Sequence, residues 1–432
     1  MRILFLAHRI PVPPNKGDKI RSNNFVRHLA GRHEVYLGCL IDDPGDLTYA
    51  AEAASIVNGF CAERIGYVKR LWSAFTGLFL SQSVSVRYFH SSRLQLWVDR
   101  LLDTYNFDVV FCSSSPMAEY VFRSRHCGGQ LARIPLIMDL IDVDSTKWAQ
   151  YAQRASAWSS WVYRHEARYL ALYEQRIAAR FQCVLLVSED EKAHFPGGES
   201  HPKLVTIGNG VDLEKFLPGY GGKRLSASHS LVFTGVMDYW PNVEGVTWFA
   251  REVLPRVRAK VPEVQFFIVG TRPGRAVRRL AELEGVVVTG FVDDIRDYIG
   301  GADLSVVPLR IARGVQNKIL EAMAMGRAVV SSPEAFEGID AVAGRDVVVA
   351  DGAEAFAASI VELLQQPRRA AEIGRCARVR VETSYSWPGK LKQLDNLLDA
   401  SRKGRIDIDG SGESSKDDIE RRGSLLANLS RD

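Results

Sequence analysis

The sequence predicts an α/β protein with two doubly wound, parallel-sheet domains that face each other across a cleft. Apolar runs of strand length alternate with amphipathic stretches along most of the chain, a rhythm typical of parallel sheets covered by helices. The rhythm is interrupted at residues 219–230, which are rich in Gly, Ser and Lys and contain few large apolar residues. At 432 residues, of which 46% are hydrophobic, the chain is long enough for two such domains.

The first half opens with a strand, a loop and a helix. Residues 2–7 are apolar, a proline-rich loop follows, and the helix is expected to end at about Ala30. Nucleotide-binding α/β domains begin in this way, and their ligands bind where the parallel strands end. Lys16, Lys19 and Arg21 either add positive charge near the start of this helix or are solvated surface residues. Further strands are expected at Glu34–Leu40, Cys61–Ile65, Val109–Cys112, Leu136–Leu140 and Cys183–Ser188.

Two apolar-periodic stretches of the first half predict helices. Apolar residues recur at steps of three and four from Lys147 to Phe181, which predicts one long helix. A shorter stretch, residues 69–80, aligns large apolar residues such as Trp72 and Phe75 behind two basic residues. Such a stripe either packs into the core or dips into a membrane interface, where the basic residues meet anionic lipid.

The second half repeats the α/β rhythm and then changes character. An apolar-periodic helix is expected at residues 384–400, and from residue 401 onward charged residues, Gly and Ser alternate in a tail expected to be disordered. The predicted domains are therefore 1–215 and 216–383, followed by this helix and the tail 401–432. Strands of the second domain are expected at Leu231–Thr234, Gln265–Val269, Val286–Thr289, Leu304–Pro308, Ala328–Ser331 and Val347–Ala350.

The composition excludes several functional classes. A net charge of +4 is slight for this length and does not indicate nucleic-acid binding. The six cysteines are scattered without a CxxC pair, which favours buried free thiols in a reducing compartment over a zinc site. No GxGxxG fingerprint follows the first strand, which argues against a nicotinamide or flavin dehydrogenase. The start is too short for a signal peptide and no run reaches the length of a membrane span, so we expect a cytoplasmic protein.

The most informative stretch is residues 310–326. An apolar strand leads into a loop in which Gly314 permits an unusual turn, and good helix formers then run to Gly326. The free N–H groups and the dipole at the start of this helix, together with Arg313 and Lys318, form a seat for a phosphate or diphosphate. Glu321 shares a helix face with Lys318 and offers acceptors for sugar hydroxyls. The alternative is that Lys318 and Glu321 form an ordinary surface ion pair.

The stretch from Gln316 to Gly326, Gln-Asn-Lys-Ile-Leu-Glu-Ala-Met-Ala-Met-Gly, followed by Ala328-Val-Val330, resembles the donor-site signature of glycosyltransferase family 4. This family, the retaining group 1 transferases, has the GT-B fold. The resemblance implies that Glu321 holds the ribose of a nucleotide-sugar and that helix 384–400 crosses back to the first domain. The sequence departs from the family pattern at Arg313, because family members usually have a second Glu there that contacts the donor sugar.

Other segments extend the resemblance. It implies that Gly17 lets the backbone approach the donor diphosphate and that the backbone of Val292 reads the base. The loop from Gly235 to Asn242 lacks the Arg and Lys that many members carry, and we expect Asn242 to cap the following helix, with Arg310 assisting on the phosphates. Ser113 stands where many members have a His. The candidate donor-binding residues are Gly17, Val292, Gly314, Val315, Gln316, Asn317, Lys318 and Glu321.

Acidic residues follow the strand expected at Leu136–Leu140. Asp139, Asp142 and Asp144 either bind a cation or hold acceptor hydroxyls, or else Asp144 or Ser145 caps the next helix. The candidate catalytic residues are Arg313, Lys318 and Asp142.

These features predict a hexosyltransferase-like enzyme that moves a sugar from a nucleotide-diphosphate sugar to a glycan or polyprenyl-linked acceptor in cell-surface or exopolysaccharide assembly. The resemblance implies retention of configuration, and neither a cofactor nor a metal is expected because cations and helix N–H groups already face the phosphates. Contact of residues 69–80 with the inner face of the cytoplasmic membrane is expected. The alternatives are a GT-B nucleotide-sugar epimerase and a non-catalytic nucleotide-sugar-binding partner.

Overall fold

A computed structural model of the chain describes residues 1–66, 82–155, 157–195, 201, 203–220, 225, 228–312 and 314–402. These residues form two lobes, each built on one parallel sheet with helices on both faces. The fold class predicted from the alternating pattern is therefore confirmed.

The first lobe contains a sheet of seven strands within the described residues, and all its pairings are parallel. Its strands are β1 (Arg2–Ala7), β2 (Glu34–Ile41), β3 (Gly59–Arg64), β4 (Val109–Ser113), β5 (Leu136–Ile141), β6 (Cys183–Leu186) and β7 (Leu204–Thr206). Their spatial order is β3-β2-β1-β4-β5-β6-β7. The direction of chain progression reverses between β1 and β4, which is the point in such sheets where ligands bind.

Helices and short turns cover both faces of this sheet. The helices are α1 (Gly17–Ala30), α2 (Ala50–Ile56), α3 (Val84–Tyr88), α4 (Ser92–Thr104), α5 (Glu119–Phe122), α6 (Asp144–Arg154), α7 (Ala157–Arg180) and α8 (Glu189–His194). Two apolar cores result, because side chains of successive strand residues alternate between the faces of the sheet.

The second lobe contains six parallel strands within the described residues. They are β8 (His229–Thr234), β9 (Val264–Val269), β10 (Val286–Gly290), β11 (Leu304–Val307), β12 (Ala328–Ser331) and β13 (Val348–Val349). Their order, β10-β9-β8-β11-β12-β13, places a second reversal between β8 and β11. Each predicted strand of this half is present, with ends that differ by no more than a few residues.

Helices of the second lobe follow the same alternation. They are α9 (Trp240–Trp248), α10 (Leu254–Arg258), α11 (Arg275–Arg278), α12 (Arg296–Gly301), α13 (Asn317–Ala324), α14 (Pro333–Phe336), α15 (Gly352–Gln365) and α16 (Pro367–Ser384). A π-helical turn, Phe249–Val253, joins α9 to α10.

The last described helix, α17 (Trp387–Arg402), returns to the first lobe. Trp387, Leu394 and Leu398 are buried in the apolar core beneath α1 and β1. Asp395 lies 2.8 Å from His28 of α1, which adds a polar contact at the rim of that core. The two lobes are therefore joined at both ends of the second lobe, by residues 207–228 and by α17.

The prediction of one helix from Lys147 to Phe181 is wrong. The chain forms two helices, α6 and α7, because Ala155 adopts an extended backbone that ends α6. The break between the helices lets Trp148 and Tyr151 of α6 pack against Tyr163 of α7. The ring centroids of Trp148 and Tyr151 lie 5.3 Å and 6.3 Å, respectively, from that of Tyr163. Apolar spacing predicted both helices but could not reveal the break between them.

Neither interpretation of Lys19 and Arg21 was right, since both side chains are buried. Lys19 lies 3.0 Å from Asp46. Arg21 donates two hydrogen bonds, of 2.8 Å and 2.9 Å, to the two oxygens of Asp139, and both side chains are 0% exposed. A further bond from Arg21 to the backbone oxygen of Ile207 joins α1 to the end of the first lobe. These cations stabilise the lobe and are not available to a ligand.

Parts of the chain with predicted roles lie outside the described residues. They are the proposed membrane stripe 69–80, position 313, and all but the first two residues of the tail 401–432.

Replacing Arg21 by Met should lower the stability of the first lobe by about 3–5 kcal/mol, because it leaves the carboxylate of Asp139 buried without a partner. Thermal unfolding monitored by circular dichroism would measure this loss. The control is Arg27→Met, which breaks an ion pair to Glu52 whose side chains are both 49% exposed, and it should leave the transition nearly unchanged. Equal transitions for Arg21→Met and the parent protein would contradict this account of the lobe.

Candidate active site in the cleft

The cleft-facing end of the second lobe is organised by the turn between β11 and α13. Gly314 has φ +63°, a left-handed conformation that a residue with a side chain adopts only with strain. The residue before the helix, Gln316, is extended and makes no side-chain cap, so the first N–H groups of α13 are left for another acceptor. The buried Oδ1 of Asn317 also has no hydrogen-bond partner among the described residues.

Lys318 lies half-buried on the first turn of α13. Its Nζ donates a 2.8 Å hydrogen bond to Oδ1 of Asn242 and lies 4.5 Å from the centroid of the Phe233 ring. Burial lowers the pKa of Lys318 to about 7, although the nearby Glu321 acts in the opposite direction. The ammonium group is thus balanced between its charged and neutral forms near neutral pH.

Asn242 positions this lysine and does not cap a helix. Helix α9 begins two residues earlier, at Trp240, and the side-chain amide of Asn242 donates a 2.9 Å hydrogen bond to the backbone oxygen of Val236. This bond orients Oδ1 toward Lys318. The predicted capping role is therefore wrong, but the residue does contribute to the site.

Glu321 lies one turn further along α13. Burial raises the pKa of its carboxyl group to about 7, while Lys215 and Lys318 act to lower it. Within the described part of the chain, this carboxyl group forms no ion pair and accepts no hydrogen bond. The structure therefore contains no surface ion pair between Glu321 and Lys318. The carboxyl group and the ammonium group both remain available to a ligand.

The first lobe approaches this turn at two points. A Cβ atom added at Gly17, the first residue of α1, would lie 3.6 Å from the side-chain amide of Asn317. A Cβ atom added at Gly314 would lie 2.3 Å from Oδ1 of Asp142, so a side chain there would have to displace that carboxylate. Gly17, Asp142 and the start of α13 therefore line one space between the lobes.

The three acids after β5 do not form a cluster. Asp139 is paired with Arg21, and the backbone N–H and hydroxyl group of Ser145 bond to Glu174 of α7. Helix α6 begins at Asp144 with no side-chain cap, so the predicted caps are wrong. Burial raises the pKa of Asp142, which Lys147 acts to lower. Among the residues that the structure describes, no group of His, Cys, Asp and Glu side chains is arranged to hold a metal ion.

The remaining predicted residues lie in separate places. Val292 follows β10 and packs against a small apolar cluster on that side of the second lobe, while Val315 packs against the main core beside α13. Gln316 donates a 3.1 Å hydrogen bond to the backbone oxygen of Gly314. Arg310 pairs with Glu244. Ser113 ends β4 with its hydroxyl group buried and without a partner in the described residues.

A set of contacts across the cleft was not expected from the sequence. The hydroxyl groups of Tyr151 and Tyr239 lie 3.0 Å apart, and the Tyr151 ring packs edge-on to that of Trp240, with centroids 5.7 Å apart. Arg272 of the second lobe pairs with Asp43 of the first. The sequence offered one signal for these contacts. Tyr151 follows Lys147 by four residues in a helix that begins close to a strand end, so the two residues share a helix face near the cleft.

Comparisons with known proteins agree with this architecture. Residues 228–366, the core of the second lobe, match the family model of glycosyl transferases group 1. A GDP-mannose-dependent monoacylated alpha-(1-6)-phosphatidylinositol monomannoside mannosyltransferase of Corynebacterium glutamicum is 28% identical over 220 residues, 46% of this chain and 57% of that protein. The GDP-mannose-dependent alpha-(1-6)-phosphatidylinositol monomannoside mannosyltransferase of Mycolicibacterium smegmatis is 28% identical over 35% of this chain and 44% of its own. The alignments thus span about half the length of these relatives.

Solved structures share the fold over nearly the whole chain. Sucrose-phosphate synthase of Thermosynechococcus elongatus has a TM-score of 0.70 at 18% identity, over 92% of this chain and 98% of that one. Anabaena HepE in complex with UDP and glucose has a TM-score of 0.63 at 15% identity, over 93% and 100%. Residues 228–366 therefore form a domain similar to the group 1 glycosyltransferases, and the chain as a whole has the GT-B fold.

Proposed function

We propose that this protein is a glycosyltransferase that moves a sugar from a nucleotide-diphosphate sugar to a glycan or lipid-linked acceptor. The observation that carries the proposal is the start of α13, where free N–H groups, Lys318 and an unpaired Glu321 face Gly17 of the other lobe. A diphosphate fits the N–H groups and the lysine, and a ribose fits the carboxylate. The group 1 family match supports the same reading.

In the proposed reaction an acceptor hydroxyl oxygen forms a bond to the anomeric carbon of the sugar as the bond from that carbon to the diphosphate oxygen breaks. The electron pair of the broken bond leaves with the nucleoside diphosphate. With retention, the acceptor attacks on the face that the diphosphate leaves, and the leaving phosphate takes the acceptor's proton. Lys318, the N–H groups of α13 and, in this proposal, Arg313 stabilise the charge that gathers on the leaving group.

Asp142 and the approach of the lobes have roles in the same proposal. The carboxyl group of Asp142 beside Gly314 is placed to accept a hydrogen bond from an acceptor hydroxyl. Closure of the lobes over the substrates excludes water and favours transfer over hydrolysis. We expect no metal requirement, so turnover should survive EDTA.

The acceptor is proposed to be membrane-associated. The names of the two curated relatives describe transfer to phosphatidylinositol mannosides, and a role in cell-surface or exopolysaccharide assembly fits such acceptors. No helix among the described residues combines the length and apolarity needed to cross a bilayer. We propose peripheral contact with the inner face of the cytoplasmic membrane through residues 69–80, where large apolar residues stand behind two basic ones.

A screen of GDP-, UDP- and ADP-sugars should identify one donor whose nucleoside diphosphate is released faster when a lipid extract is added. With that donor, Lys318→Ala and Glu321→Ala should each lower turnover at least about tenfold, or about 1.4 kcal/mol of transition-state binding. The control Glu362→Ala alters an exposed residue of α15 and should leave turnover unchanged. An altered sugar on an intact donor would indicate an epimerase, binding without turnover would indicate a non-catalytic partner, and full activity in both variants would remove the site assignment.

Binding of the nucleotide-sugar should weaken as pH rises from 6 to 8. The protonated fraction of a lysine with a pKa of about 7 falls about tenfold over this range, and only that form attracts the diphosphate. The intact nucleotide-sugar is the right probe because it has no terminal phosphate. A free nucleoside diphosphate has one, and its second ionisation, with a pKa of about 6, would change the charge of the ligand in the same pH range. Calorimetric titration of Lys318→Met should give weaker binding at pH 6 and no comparable fall. Parent binding that is constant or tightens with pH would count against this role for Lys318.

Replacing Trp72 and Phe75 by Glu should release the protein from vesicles that contain anionic lipid, because it places carboxylates in the stripe proposed to enter the interface. Co-sedimentation would measure the bound fraction, with vesicles of neutral lipid as the control. Equal sedimentation of the variant and the parent protein would rule out this segment as the contact.

A further inference from the structure

Helix α6 of the first lobe faces the second lobe along one side. Just before it, Asp142 lies against Gly314, and near its end Tyr151 contacts both Tyr239 and Trp240. Lys147 lies between these two contacts, one turn before Tyr151 and on the same helix face. The position of the helix therefore directs Lys147 toward the cleft between the loop after β8 and the turn before α13.

Lys147 is a cation whose one ion pair among the described residues is long. Its nearest carboxylate oxygen, on Asp144, lies 3.8 Å from Nζ, and 28% of the side chain is exposed. Burial alone would lower the pKa of Lys147, but nearby Tyr239, Asp144 and Asp142 outweigh that effect and raise it. Lys147 is therefore charged at neutral pH, whereas Lys318, with a pKa of about 7, is only partly charged.

Three other cations near the described part of the cleft are already engaged. Arg21 is paired with Asp139, Arg272 with Asp43, and Arg310 with Glu244. The loop after β8, residues 235–242, reads Gly-Val-Met-Asp-Tyr-Trp-Pro-Asn and supplies no cation of its own. A diphosphate held at the start of α13 would therefore meet Lys318 on one side and an uncharged or acidic loop on the other.

We propose that Lys147 contacts the donor diphosphate from the first lobe, as a binding residue that compensates for the absence of a cation in the loop after β8. This inference rests on the proposed function. Lys147 and Lys318 would then grip the same group from opposite lobes, so that binding of the diphosphate draws the lobes together. The contacts of Tyr151 with Tyr239 and Trp240 hold α6 in the position that this requires.

The test is titration calorimetry of GDP, UDP and ADP with Lys147→Met, Lys147→Arg and the parent protein. Lys147→Met should weaken binding of the preferred nucleoside diphosphate at least about tenfold and make binding less sensitive to salt, since one charge contact is lost. Lys147→Arg should restore most of the affinity because it keeps the charge. Thermal unfolding should show that each variant is folded.

The matched control is Lys260→Met. It removes the same charge at an exposed site just before β9, at the edge of the sheet opposite the cleft, and should leave nucleotide binding unchanged. A folded Lys147→Met that binds the nucleoside diphosphate as tightly as the parent protein would overturn the inference and leave the proposed function intact. A parent protein that binds none of the three nucleotides would overturn both.

A phosphate on a lipid acceptor offers the same chemistry as the donor diphosphate, and vesicles of phosphatidylinositol separate the two. We expect Lys147→Met to bind these vesicles as the parent protein does. If the variant lost vesicle binding while it retained full affinity for the nucleoside diphosphate, Lys147 would serve the acceptor and the inference would be wrong.

Discussion

The approach of the two lobes at the start of α13 is the constraint on which the rest of the structure depends. Parallel strands leave their loops at the carboxyl edge of a sheet, and here the two edges meet, with Gly17 opposite Asn317 and Asp142 opposite Gly314. At Gly314 the separation is so small that a single carbon atom would collide with the carboxylate. Glycine at this turn therefore suits the close approach of Asp142 as well as the left-handed backbone.

Charge in this cleft is divided between groups that are committed to the fold and groups that remain free. Arg21 is fully buried with Asp139 and connects α1 to the end of the first lobe, so it belongs to the framework. Lys318 and Glu321 lie close together on α13 without forming an ion pair, and burial moves the pKa of each to about 7. Such values, caused by burial rather than by pairing, are common where a protein holds groups ready for a charged ligand.

The sequence allowed the fold to be predicted because the determining signal is local. Apolar runs of four to eight residues located most of the strands of both sheets. Spacing could not detect the break at Ala155, since α6 and α7 each continue the same apolar pattern. That break is stabilised by packing between the two helices, which depends on tertiary structure.

The candidate site was predictable only in part. Gly314, Lys318 and Glu321 are adjacent in sequence, so their grouping follows from helix geometry. The burial of Lys19 and Arg21, the hydrogen bond that Lys318 donates to Asn242, and the position of Lys147 all depend on residues far away in the chain. A charged residue near a helix start has the same sequence signature whether it binds a ligand or a buried carboxylate. Only the three-dimensional arrangement distinguishes these cases.

The most direct test of the central claim is a crystal structure of the protein soaked with the nucleoside diphosphate that binds best. We predict that the diphosphate lies between Gly17 and the first turn of α13, within hydrogen-bond distance of the N–H groups there and of Lys318, with the ribose against Glu321. A nucleotide bound elsewhere, with the start of α13 free of it, would contradict the account.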